Sequence, residues 1–153
     1  MLKAIQNFFE QNIQEQTETD GEHALQLATA ALLIETIRAD FNLSDLQYEA
    51  AVENLRRFFD LSESETRQLV ELAEQEVDEH ASLYQFTSLI GKHLENEQKT
   101  RVIEMMWRVG LADGNKSMYE EHLIRKIAKL LYVPHSEFIR TRVKIESELA
   151  GES

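Results

Sequence analysis

The six residues Ala39-Asp40-Phe41-Asn42-Leu43-Ser44 return 73 positions later as Ala112-Asp113-Gly114-Asn115-Lys116-Ser117, and both copies read Ala-Asp-x-Asn-x-Ser. Each copy follows an apolar stretch of helical period and precedes an acidic helix start, so each reads as an oxygen-rich turn between two helices. The correspondence extends outward. Ala30, Leu33 and Ile34 answer to Ile103, Met106 and Trp107, and, with the offset reduced to 72, Val52, Leu55, Phe58 and Phe59 answer to Ile124, Ile127, Leu130 and Leu131. Two copies are too few for a solenoid, so the pattern predicts an internally duplicated helix-loop-helix unit within one domain.

Few residues in the chain would break a helix. Five glycines and one proline stand among 153 residues rich in leucine, alanine, glutamate and glutamine, which favours helix nearly throughout. A chain of this length buries roughly 70% of its unfolded surface around a single core. The expectation is an all-α, compact bundle of about seven to eight helices forming one domain over 1–153. An N-terminal amphipathic helix (Leu2, Ile5, Phe8, Phe9, Ile13) and a polar linker occupy 1–20, Asp20 caps the next helix, and the core spans 21–150. The helix from about Gly21 to Ala39 is apolar nearly all round and should be central. Capping boxes are expected at Ser44 to Gln47 and at Ser62 to Glu65. The acidic helix from Glu63 to about Glu79, which includes Glu76, reads as a solvated face over a thin seam of Leu69, Leu72 and Val77. Met105, Met106 and Trp107 read as core, and so does the Leu83-Tyr84-Gln85-Phe86 run.

With 28 acidic and 16 basic groups the formal charge is −12, which repels nucleic-acid phosphate. The absence of cysteine excludes disulfides and thiolate metal sites and fits a cytoplasmic protein. The most apolar window, Ala24 to Ile34, is far shorter than the roughly 20 residues needed to span a bilayer. No stable membrane insertion is expected, and at most a weak peripheral association.

Chemistry concentrates in the two turns. An aspartate followed at two-residue steps by asparagine and serine, with a glutamate further on, supplies the oxygen donors that hard cations take. The candidate ligands are Asp113, Glu120, Asp40 and Glu49, with Asn115, Ser117, Asn42 and Glu121 as additional oxygens. An EF-hand is excluded, since its sixth and twelfth positions counted from Asp113 are Met118 and Ile124, and from Asp40 they are Asp45 and Ala51. The same residues have a purely structural use. Ser117 and Glu120 form Ser-x-x-Glu, a capping box, and Asp40 and Asp113 suit Asx turns. His80, beside Glu76 and Glu79, and His122, beside Glu121, could add ligands, although lone histidines on acidic helices are more often solvated, and no catalytic motif is present.

Leu83-Tyr84-Gln85-Phe86-Thr87, then Trp107-Arg108-Val109 running into Ala112-Asp113-Gly114, then Tyr119-Glu120-Glu121-His122-Leu123, resemble the tellurite-resistance protein B-like (TerB-like) family over about residues 25 to 142. The family pattern is Ala-Asp-Gly, five residues, then glutamate, which here falls on Asp113, Gly114 and Glu120. In the first copy Phe41 stands in place of the glycine and Glu49 lies nine positions after Asp40. The resemblance implies an all-helical bundle of two similar halves with acidic, cation-binding turns, no enzyme activity, and a link to tellurite or metal stress.

Two functional expectations follow. The first is a non-enzymatic protein that binds a divalent cation, Ca²⁺ in preference to Mg²⁺ or Zn²⁺, and so biases a surface toward an unknown protein partner. The second is a metal-free protein-protein interaction module of co-chaperone or scaffold type.

Overall fold

The computed structural model describes residues 17–39, 44–79, 82–115 and 117–151. Among them run seven α-helices and no strand: α1 (Thr17–Arg38), α2 (Asp45–Phe59), α3 (Glu63–Asp78), α4 (Leu83–His93), α5 (Asn96–Gly110), α6 (Met118–Leu130) and α7 (His135–Gly151). The N-terminal amphipathic stretch, Asp40, Asn42 and His80 lie outside the described residues. Helix α1 begins at Thr17, so Asp20 lies inside it and does not cap it. No glycine or proline stands at 17–20, and acidic residues are favourable near a helix N-terminus, so this described part of the polar segment belongs to the helix.

Every residue of α1 from Leu25 to Ile34 is buried. A helix apolar on all sides must be surrounded, and α1 packs against α2, α3, α4, α5 and α6. Its two buried threonines fit because each hydroxyl donates to its own helix, Thr29 to the Leu25 carbonyl and Thr36 to the Leu32 carbonyl, both at 2.9 Å. Helix α7 packs mainly on α5, where Phe138 meets Trp107 at 5.3 Å between ring centroids.

The helix ends follow local chemistry. At Ser62 and Glu65 the capping box is complete, and a second box joins Ser82 and Gln85. At Ser44 only half of the expected box forms. The hydroxyl accepts from the Gln47 N–H at 3.4 Å, while the Gln47 side chain turns inward. Asp60 takes a left-handed conformation (φ 54°) that ends α2.

Two surface expectations change. Glu76 is fully buried on α3 and is no part of a solvated face, because the seam that packs on α1 is Thr66, Leu69, Val70, Ala73 and Glu76. Tyr84 stands 70% exposed while Phe86 beside it fills the core, as i and i+2 positions of a helix point to different sides.

Tyr48 on α2 donates to the Glu74 Oε1 of α3 at 2.9 Å. Burial, followed by that hydrogen bond to a carboxylate, pushes its phenol up to about 12. A raised folded value means that this contribution to stability is complete below the ordinary value of 10.0 and is lost as pH rises toward 12. Absorbance titration of the four tyrosines should therefore show one late phase that Tyr48→Phe removes. In the packed centre, Leu32→Ala should cost about 2–5 kcal/mol in urea unfolding.

Candidate functional site

The turn between α5 and α6 is wound by its own side chains. Asp113 Oδ1 accepts the Asn115 N–H at 3.0 Å, which closes an Asx turn, and Gly114 takes φ 81°, a left-handed conformation that glycine adopts without steric cost. Ser117 Oγ then accepts the N–H groups of Tyr119 at 3.1 Å and Glu120 at 3.4 Å, capping α6. Asp113 and Ser117 thus perform the structural roles their spacing allows. Asp113 Oδ2 takes no hydrogen bond from the described residues.

Glu120 turns inward and is only 3% exposed. Gln47, fully buried, donates from Nε2 to Glu120 Oε2 at 2.6 Å and to the Gly110 carbonyl at 3.2 Å. A side chain on Gly110 would sit 3.5 Å from Thr36 Cγ2 and 3.8 Å from Glu120 Oε1, so α1, α2, α5 and α6 all reach this point. Gln47 and Glu120 are the third residues of α2 and α6, each three positions after a serine cap. Instead of closing capping boxes at their own helix ends, the two side chains close on each other.

The amide orientation is set by its neighbours. Its nitrogen faces two acceptors, a carboxylate and a carbonyl, so exchanging N and O would put three oxygens together. Gln47 Oε1 is consequently left buried with no hydrogen-bond partner among the described residues.

The other candidate ligands lie elsewhere. Glu49 is exposed and bonded to Arg67 at 3.0 Å and 3.3 Å, a contact that lowers its carboxyl below the ordinary range. Glu121 pairs with Arg125 at 3.4 Å and Arg142 at 3.2 Å. Asn115 is exposed and His122 lines an outer groove. No group of three or more histidine, aspartate or glutamate side chains gathers at metal-binding distance among the described residues. Gln47 is the residue that the choice of Glu49 passed over. Its signal was the spacing, since Gln47 stands seven positions after Asp40 as Glu120 does after Asp113.

Beside this corner a groove of about 810 Å³ runs between the end of α1 and α6, with Met118 78% and Tyr119 61% exposed along it. Glu35 on its wall is half-buried, and desolvation raises its carboxyl against the opposing pull of Arg38.

The family model of the tellurite resistance protein TerB matches residues 26–143. The chain belongs to the TerB family. No curated protein and no solved structure matches it. In this TerB domain the matched region runs from within α1 into α7 and contains both turns, the buried Gln47–Glu120 pair and the groove. No described helix is long and apolar enough to cross a membrane.

Gln47→Glu would set a second carboxyl against Glu120. The like charge and burial raise the folded pKa above the ordinary carboxyl value near 4.3, so the variant loses stability as pH rises through that range. Relative to the parent chain it should unfold about 1–3 kcal/mol more easily at pH 7 than at pH 4. Glu49→Gln, an exposed change, should stay within about 0.5 kcal/mol of the parent in the same urea titrations.

Proposed function

We propose that this TerB domain is a non-enzymatic, cation-responsive protein whose second acidic turn and the buried pair behind it take a divalent metal ion, Ca²⁺ in preference to Mg²⁺ or Zn²⁺. The observation that carries this reading is the buried Gln47 amide, whose Nε2 meets the Glu120 carboxylate and the Gly110 carbonyl while its Oε1 has no hydrogen-bond partner among the described residues. A carboxylate, an amide oxygen and a backbone carbonyl are the donor types hard cations use, and Asp113, half-buried and with one oxygen outside its Asx turn, is the carboxylate that precedes Glu120 in the same turn.

Rotation of the Gln47 amide would exchange its N–H groups for Oε1. That rotation is unfavourable alone, because oxygen would then face a carboxylate, and becomes favourable once a cation sits among the oxygens. The positive charge also offsets the cost of keeping the Glu120 carboxylate out of water. Membership of the TerB tellurite-resistance family supports a tellurite-related or metal-stress setting for this response.

A metal-free interaction module is the second reading. The groove beside the turn favours it, because Met118 and Tyr119 are exposed there at the start of α6.

Thermal unfolding after EDTA treatment separates the two. Millimolar Ca²⁺ should raise the melting temperature, since a ligand that binds only the native state stabilises it by mass action. Asp113→Asn and Gln47→Leu should each remove most of that rise. Absence of any shift with Ca²⁺, Mg²⁺, Mn²⁺ or Zn²⁺ would defeat the cation reading and leave the groove as the functional surface.

A further inference from the structure

A different face of the molecule carries a cavity that the acidic turns do not explain. Helices α5 and α7 run alongside each other in the same direction. Glu104 meets Lys144 and Arg108 meets Glu148, both pairs being 40 residues apart in sequence. Their first turns therefore lie at one end of the bundle, next to the connection between α6 and α7. A cavity of about 630 Å³ opens there.

Cations line it. Lys99 and Arg101 from α5 face Arg140 and Lys144 from α7 across the space. The three carboxylates in the same lining do not cancel them equally. Glu104, 8% exposed, holds Lys144 at 3.2 Å and Arg108 at 3.7 Å, and Glu137 holds Arg140 at 2.8 Å. That leaves Glu97 against Lys99 and Arg101, neither of which has a carboxylate partner among the described residues. Arg101 is nonetheless fixed in place, since its guanidinium lies 4.8 Å from the ring centre of Phe58. Phe58 lies outside this lining, so Arg101 stands on the border between this cavity and a second one that Phe58 and Glu104 also line.

The connection between α6 and α7 adds apolar groups. Tyr132, Val133 and Pro134 line the cavity, and Tyr132 is 87% exposed while its backbone is held in the left-handed region at φ 61°. That conformation closes the C-terminal end of α6, where the Val133 N–H donates to the Ala128 carbonyl at 2.8 Å, and it leaves the Tyr132 ring in solvent.

We propose that this cavity binds an organic phosphate, its phosphoryl group between Lys99 and Arg101 and its planar body against Tyr132. Inorganic phosphate alone would leave most of the volume empty, whereas 630 Å³ falls in the range of small-molecule sites. The net charge of −12 does not forbid this, because exposed charges more than about 8–10 Å away are screened at moderate salt. The site is separate from the cation corner and does not depend on it.

Nitrogen-15 NMR titration of the full chain in EDTA tests the proposal with phenyl phosphate, inorganic phosphate and phenol as probes. Phenyl phosphate should move the amide signals of Asn96 to Arg101 and of Tyr132 to Glu137, and bind more tightly than either fragment. Arg101→Gln and Lys99→Gln should each weaken it by about tenfold, whereas Lys129→Gln, an equal loss of charge at an exposed site on α6, should leave it unchanged. Equal binding of phenol would refute phosphoryl recognition, and equal binding of inorganic phosphate would refute a role for the organic body. No movement of these signals at millimolar phenyl phosphate, or equal weakening by Lys129→Gln, would overturn the proposal altogether.

Discussion

A short hydrogen bond, from Gln47 Nε2 to Glu120 Oε2 at 2.6 Å, ties the first turn of α2 to the first turn of α6 beside the last residue of α5. A buried carboxylate is tolerated only with polar partners, so the direction of the Gln47 amide, the approach of the Gly110 carbonyl and the small volume of Gly110 are all constrained by Glu120. The packing of α2 against α5 and of α5 against α6 brings these groups together. The rest of the core is apolar enough to hold a bundle without them. What the pair adds is register, because a shift of either helix by one position would strand a buried amide or a buried charge.

Much of this fold was legible in the residues. The apolar run of α1 announced a central helix, Ser62 and Glu65 announced a capping box, and Trp107, Met105 and Met106 were correctly placed inside. Asp20 misled because a good capping residue is equally at home in the first turns of a helix, and only the absence of a breaker before it told the difference. Glu76 and Tyr84 misled for another reason: a helix carries its burial on one stripe, and which residues fall on that stripe depends on how the helix rolls against α1.

The candidate site was legible only in half. Asp113, Gly114, Ser117 and Glu120 follow one another closely, so local spacing was enough to mark them as a turn and a cap. Gln47 is contributed by another helix, 73 residues away, and as a glutamine it carries no charge to attract notice. The glutamate two positions later, Glu49, was the obvious choice and instead serves an ion pair with Arg67 on the surface. Counting from the aspartate of each turn, rather than searching for the next acid, would have found Gln47, the residue that meets Glu120.

A double-mutant cycle on Gln47→Leu and Glu120→Leu, measured by urea unfolding in EDTA, bears most directly on this account. Each single change should destabilise the domain, since each strands a buried polar partner, and the double variant should lose much less than the sum, with a coupling of about 1.5–3 kcal/mol. Additivity within about 0.5 kcal/mol would mean that the two side chains are neighbours without being a joint, and the account built on them would fail.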